Sequence, residues 1–98
     1  MAHRRAPEAD SDLDDIVIGI AGHGGSFQSA ERLVASITER FHLLSKYPYL
    51  GRSRDADLGR GRRSYAVGEY VIIYRVENSD VLILRVLHGR RDIEGLFQ

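Results

Sequence analysis

The chain lacks cysteine and tryptophan altogether, has one lysine and two prolines, and contains no apolar run of membrane-spanning length. Without cysteine there is no disulfide framework, no thiolate metal site and no thiol nucleophile, which suits a reducing compartment. A membrane helix needs about 20 consecutive apolar residues, whereas the richest early stretch, Ile16 to Gly22, is short and follows four aspartates. No signal peptide is expected either, since acids follow Arg4 and Arg5 where a twin-arginine signal would have a hydrophobic segment. The expected location is the cytoplasm. His3, His23, His42 and His88 show no metal-ligand spacing, so no metal and no other cofactor is expected. Gly22, Gly24 and Gly25 precede a helix but lack the Gly-Lys-Ser/Thr of a phosphate loop, and no serine sits in a nucleophile elbow.

What is present is an ordinary globular composition. The 98 residues are 43% hydrophobic and 29% charged, which makes one domain spanning residues 1–98 with one modest core. Net charge is zero, but residues 1–50 hold five basic and seven acidic side chains, and residues 51–98 hold nine and seven. A nonspecific nucleic-acid binder would be basic overall, so direct nucleic-acid binding is not expected. Thirteen of the fourteen basic residues are arginine, the side chain suited to bidentate, stacked and interfacial contacts.

Periodicity sets the element order. Residues before Pro7 suit a short edge strand or a disordered start, and Pro7 suits the first turn of a helix. Leu13, Ile16, Val17 and Ile20 predict a helix over about 8–22, with aspartates in its N-terminal half where the helix dipole favours anions. Phe27, Ala30, Leu33, Val34, Ile37, Phe41 and Leu44 predict a second, longer helix, capped by Ser26 or Ser29 and ended by Pro48. Residues 51–61, rich in glycine and charge, read as a surface loop. Three strands follow, at 63–67, 70–76 and 81–87. The expected fold is α+β, a possible N-terminal strand and a two-helix hairpin packed on an antiparallel β-sheet.

Arg85 to Asp92, R-V-L-H-G-R-R-D, places three arginines, a histidine and an acid within eight residues. On an extended strand Arg85 and Leu87 share one face, and Val86 and His88 the other. With Arg63, Tyr65, Tyr70 and Tyr74 they would form a cationic, aromatic face. The plainer alternative pairs Asp92 with Arg75 or Arg91 and satisfies the histidine on a loop carbonyl.

Four segments together resemble the ParE branch of the RelE/ParE toxin superfamily. They are A-P-E-A-D-S-D-L-D-D-I from Ala6, L-L-S-K-Y-P-Y-L-G-R from Leu43, R-R-S-Y-A-V-G-E-Y-V-I-I-Y-R-V from Arg62, and I-L-R-V-L-H-G-R-R-D from Ile83. The resemblance implies the toxin of a type II toxin–antitoxin system, joined with a ParD-like antitoxin in a hetero-oligomer and directed at DNA gyrase. RelE-like relatives instead cut messenger RNA on the ribosome, and a fold alone does not choose between these outcomes. RelE-like enzymes commonly carry a tyrosine near the C-terminus, and here no tyrosine follows Tyr74. That favours a protein-binding inhibitor over an enzyme.

The expected target or toxicity residues are Arg63, Tyr70, Tyr74, Arg85, His88, Arg91 and Asp92, with Arg85 and Arg91 contacting acids and Asp92 orienting an arginine. A ribonuclease would instead use His88 for proton transfer with Arg63, Arg85 and Arg91 around the phosphate. Antitoxin contacts are expected along the helices near Ile16, Ile20, Leu33 and Ile37. Two positions depart from the family pattern: Ala6 cannot cap the first helix, and Gly19 stands where an aromatic is common. They leave open a copy that binds antitoxin but is no longer toxic.

Overall fold

The computed structural model describes residues 2–97. Strand β1 (His3–Arg5) leads into helices α1 (Pro7–Gly22) and α2 (Phe27–Lys46). Strands β2 (Arg52–Ser53), β3 (Arg62–Val67), β4 (Tyr70–Glu77) and β5 (Asp80–His88) follow, and a short helix α3 (Ile93–Leu96) closes the chain. The five strands form one sheet in the order β1-β5-β4-β3-β2, with β1 parallel to β5 and the other pairs antiparallel. The N-terminal segment is thus an edge strand, and both helices lie within the crossover that carries the chain from β1 back to the sheet.

Each helix forms for a legible reason. Pro7 starts α1 with its fixed φ, and Glu8 and Asp10 sit in the first turn, but Ala6 contributes no side-chain cap. Ser26 caps α2 by accepting the Ser29 amide at 2.9 Å. After α1 the chain reverses at Gly24, with φ +85°, and Gly25, whose amide donates to the Ile20 carbonyl at 2.9 Å. A Cβ on Gly25 would lie 2.6 Å from Ile20 Cγ2, so the tight turn between the helices requires that glycine.

The core lies between the helices and one sheet face. Leu13 and Ile16 of α1, Ile37, Phe41 and Leu44 of α2, and Ile72, Tyr74, Val81, Ile83 and Val86 of the sheet are its buried members. Residues 51–61 are not merely a surface loop: they contain β2, and Leu58 is 1% exposed. Leu58, Ile73 and Leu87 are buried apart from the helix-side cluster. Arg62 ties this region together, donating to the Leu58 carbonyl at 2.6 Å and lying 4.8 Å from the centre of the Phe97 ring. Composition hid this second apolar layer, because one leucine among glycines, arginines and aspartates leaves no period.

Gly19 is the weak point of α1. A Cβ there would meet nothing within 4 Å, so no close packing requires the glycine. Gly19→Ala is expected to raise stability by about 1 kcal/mol, read as a higher urea midpoint with unchanged slope. His3 packs edge-on to His42 with centroids 5.0 Å apart. Burial, and then the charges of His42 and Arg5, lower its pKa. The folded state therefore disfavours protonated His3, so this contribution is complete above the unfolded pKa of about 6.5 and is lost as pH falls below it. His3→Gln should flatten that part of the curve of stability against pH, followed by circular dichroism.

Candidate functional site

Asp12, on the inner face of α1 and 5% exposed, meets β5 just beyond the end of β1. The last β1-side backbone bond is Ala6 N–H to the Ile83 carbonyl at 2.9 Å. The pairing of β4 with β5 then shifts by one residue, since Tyr74 is opposite Ile83 and Ile73 is opposite Arg85, leaving Leu84 as the extra residue of a bulge. After it, the Val86 amide has no strand to donate to, and Asp12 Oδ2 accepts it at 2.9 Å. Arg85 completes the contact with Nε to Oδ2 at 2.8 Å and Nη2 to Oδ1 at 2.9 Å. These bonds raise the Arg85 pKa against the opposing effect of burial. Arg85 is therefore committed to α1, where simple strand alternation suggested a face shared with Leu87.

Next to this clasp lies a cleft of about 570 Å³, lined on α1 by Asp12, Asp15, Ile16, Gly19 and Ile20, and on the sheet side by Tyr70, Val86 and Leu87, with His88 and Arg91. Tyr70 and His88, opposite one another in the β4–β5 register, pack edge to face with centroids 5.3 Å apart. The Nδ1 of His88 accepts the Arg90 amide at 3.1 Å, which directs Nε2 toward the Glu69 carboxylate 3.7 Å away. Arg91 is exposed at the rim. Tyr70, His88 and Arg91 thus come together as expected. Gly19 was singled out as a departure in pattern, and the fold makes it the open part of the cleft wall.

Arg63 and Tyr74 have other work. The buried Tyr74 hydroxyl donates to the Pro48 carbonyl at 2.9 Å and accepts the Gly51 amide at 2.8 Å. Arg63 donates to the Gly51 carbonyl at 2.6 and 3.1 Å and to the Tyr49 carbonyl at 3.1 Å. Both therefore fasten the segment that follows α2, a role invisible without knowing which strand lies behind Pro48. Asp92 does not orient an arginine: its carboxylate accepts the Gly95 amide at 3.1 Å and caps α3, and Arg75 pairs with Glu77 instead. The expected antitoxin contacts also need correction in part. Ile37 is 0% and Ile16 7% exposed, so both belong to the core, while Ile20 and Leu33 are half-buried at its margin. A three- and four-residue period marks the buried face of a helix before it marks a groove.

The sequence model for the family described as "ParE toxin of type II toxin-antitoxin system, parDE" matches residues 4–93. The chain belongs to the ParE toxin family. Toxin ParE3 of Caulobacter vibrioides is 35% identical over 89 residues, which are 91% of this chain and 87% of that protein. Among solved structures, the chromosomal ParDE system of P. aeruginosa matches with a TM-score of 0.77 at 23% identity, covering 90% of this chain and 95% of that one. The RelBE2 toxin–antitoxin complex of Mycobacterium tuberculosis matches with a TM-score of 0.65 at 27% identity, over 89% and 95% of the two chains. The shared fold is thus that of the RelE/ParE superfamily, and the sequence relationship places this chain among the ParE toxins of type II toxin–antitoxin systems.

Among the described residues no helix is long and apolar enough to cross a membrane, and no three potential metal-ligating side chains cluster together. In this ParE-family fold the Asp12 carboxylate is costly to remove, because Arg85 and the Val86 amide would lose their acceptor together. Asp12→Ala is expected to destabilise the chain by about 3 kcal/mol, the range for breaking a largely buried ion pair, as measured by urea unfolding.

Proposed function

We propose that this ParE-family toxin arrests growth by binding DNA gyrase as a protein–protein inhibitor, and that a ParD-like antitoxin neutralises it in a hetero-oligomeric complex. The observation that carries the non-enzymatic reading is the commitment of the arginines. Of the set a ribonuclease would need, Arg63 is bonded to the Tyr49 and Gly51 carbonyls and Arg85 to Asp12. Of those three arginines only Arg91 keeps a side chain outside the fold's own hydrogen bonds among the described residues, whereas stabilising the transition state of phosphate cleavage calls for several converging donors. The related structures, a ParDE system and a RelBE2 toxin–antitoxin complex, support an antitoxin partner. Within the expected helix-side contacts, Ile20 and Leu33 retain surface for that antitoxin, and Ile20 opens onto the cleft beside His88.

The ribonuclease reading keeps one specific feature, the adjacent His88, Tyr70 and Glu69. Inducing the chain without antitoxin and pulse-labelling DNA and protein synthesis separates the two. DNA synthesis is expected to fail first, and purified toxin to inhibit gyrase supercoiling. Arg91→Ala should weaken that inhibition by about tenfold, the loss of one charge-assisted contact, and His88→Ala, at the neighbouring expected toxicity position, should weaken it without abolishing it. Early failure of protein synthesis that His88→Ala abolishes would instead establish messenger cleavage.

A further inference from the structure

The most exposed aromatic surface lies away from the His88 cleft. Tyr47, Tyr49 and Leu50 are 61%, 68% and 50% exposed, yet the backbone that presents them is held from behind. The Tyr74 hydroxyl bridges Pro48 and Gly51, and Arg63 clamps the Tyr49 and Gly51 carbonyls. Its guanidinium also lies 5.3 Å from the centre of the Tyr49 ring. Gly51 is required for this closure, since a Cβ there would collide with the Tyr74 hydroxyl and lie 2.7 Å from the Ser64 carbonyl. Large apolar side chains on a fixed backbone lose little entropy on association, the property of interface anchors.

Charge indicates the occupant. No acid occurs from Arg40 to Arg54, a stretch holding Arg40, Lys46, Arg52 and Arg54. Lys46 and Arg52 are exposed, and among the described residues neither makes a direct ion pair, although, beyond the Arg54 hydrogen bond, the charge of Arg52 reaches Asp57 and helps to lower its pKa. The His88 cleft, by contrast, carries Asp15 on its wall and Glu69 beside the histidine. We propose that the Tyr47–Leu50 segment is the anchor by which this toxin docks on its protein target, inserting into an apolar pocket of gyrase rimmed by carboxylates that meet Lys46 and Arg52. The inference rests on the gyrase reading and adds a surface to it. A protein is favoured over single-stranded nucleic acid because Leu50 offers no stacking face, Arg63 already covers one side of Tyr49, and the chain has no net positive charge.

The test measures binding of purified gyrase, of the co-purified antitoxin and of a single-stranded DNA oligonucleotide to three chains: wild type, Tyr49→Ala with Leu50→Ala, and Lys46→Glu with Arg52→Glu. The charge-reversed chain alters only exposed side chains and keeps the test valid if the first variant folds poorly. Each variant is expected to lose gyrase affinity by at least about tenfold, as for removal of interface anchors, while antitoxin affinity and the melting curve stay near wild type. Wild-type gyrase affinity in the folded variants would overturn the placement alone. Failure of the wild-type chain itself to bind gyrase would overturn the gyrase reading and the proposal with it. Loss confined to antitoxin binding, or to a single-stranded DNA probe, would overturn the proposal by assigning the surface to that occupant.

Discussion

The Asp12 carboxylate joins three parts of the molecule that the chain brings from far apart: α1, the bulged β5 and the Arg85 side chain. Where β1 ends, the neighbouring edge of β5 would expose a buried amide, and an unpaired buried donor costs about 1–3 kcal/mol. A helix carboxylate takes the place of the missing strand, and the arginine compensates the charge that this brings inside. Because the contact sets where α1 lies along β5, it also sets the width and lining of the cleft between Gly19 and His88. A stability device and a candidate site thus share one wall.

A second restraint acts at the far end of α2. Tyr74 and Arg63 hold Pro48 to Gly51 against the sheet with hydrogen bonds that the segment cannot make within itself. Two residues with the chemistry of a binding or catalytic site therefore act on backbone carbonyls, and the neighbouring tyrosines, with no catalytic chemistry in view, reach solvent. In a chain whose cations are nearly all arginine, this division matters: guanidinium groups that bind carbonyls or a buried carboxylate are lost to ligands. Among the cations left exposed, Arg91 stands beside His88, and Lys46 and Arg52 stand beside the exposed aromatics.

The fold was largely legible before the structure. The periods through Leu13 to Ile20 and Phe27 to Leu44, the break at Pro48 and the three apolar runs locate both long helices and the meander within about a residue at most ends. The N-terminal strand was legible only as a possibility, since three residues carry no period and their parallel pairing with β5 depends on the crossover. Leu58 and α3 were missed because a lone leucine in a charged loop and a four-residue turn of helix leave no pattern to read.

The site was legible as residue types and not as roles. Local sequence determined that Tyr70 lies at the start of one strand and that His88 ends the next, so their meeting follows from strand register, and Arg91 joins them through the turn in which its amide donates to the His88 carbonyl. Tertiary structure alone decided that Arg85 turns to α1, that Arg63 and Tyr74 secure the chain after α2, and that Tyr49 faces out. Register propagates along neighbouring residues and is written in their alternation. Partnership between Asp12 and Arg85, 73 positions apart, depends on a bulge and a strand end that no local period records.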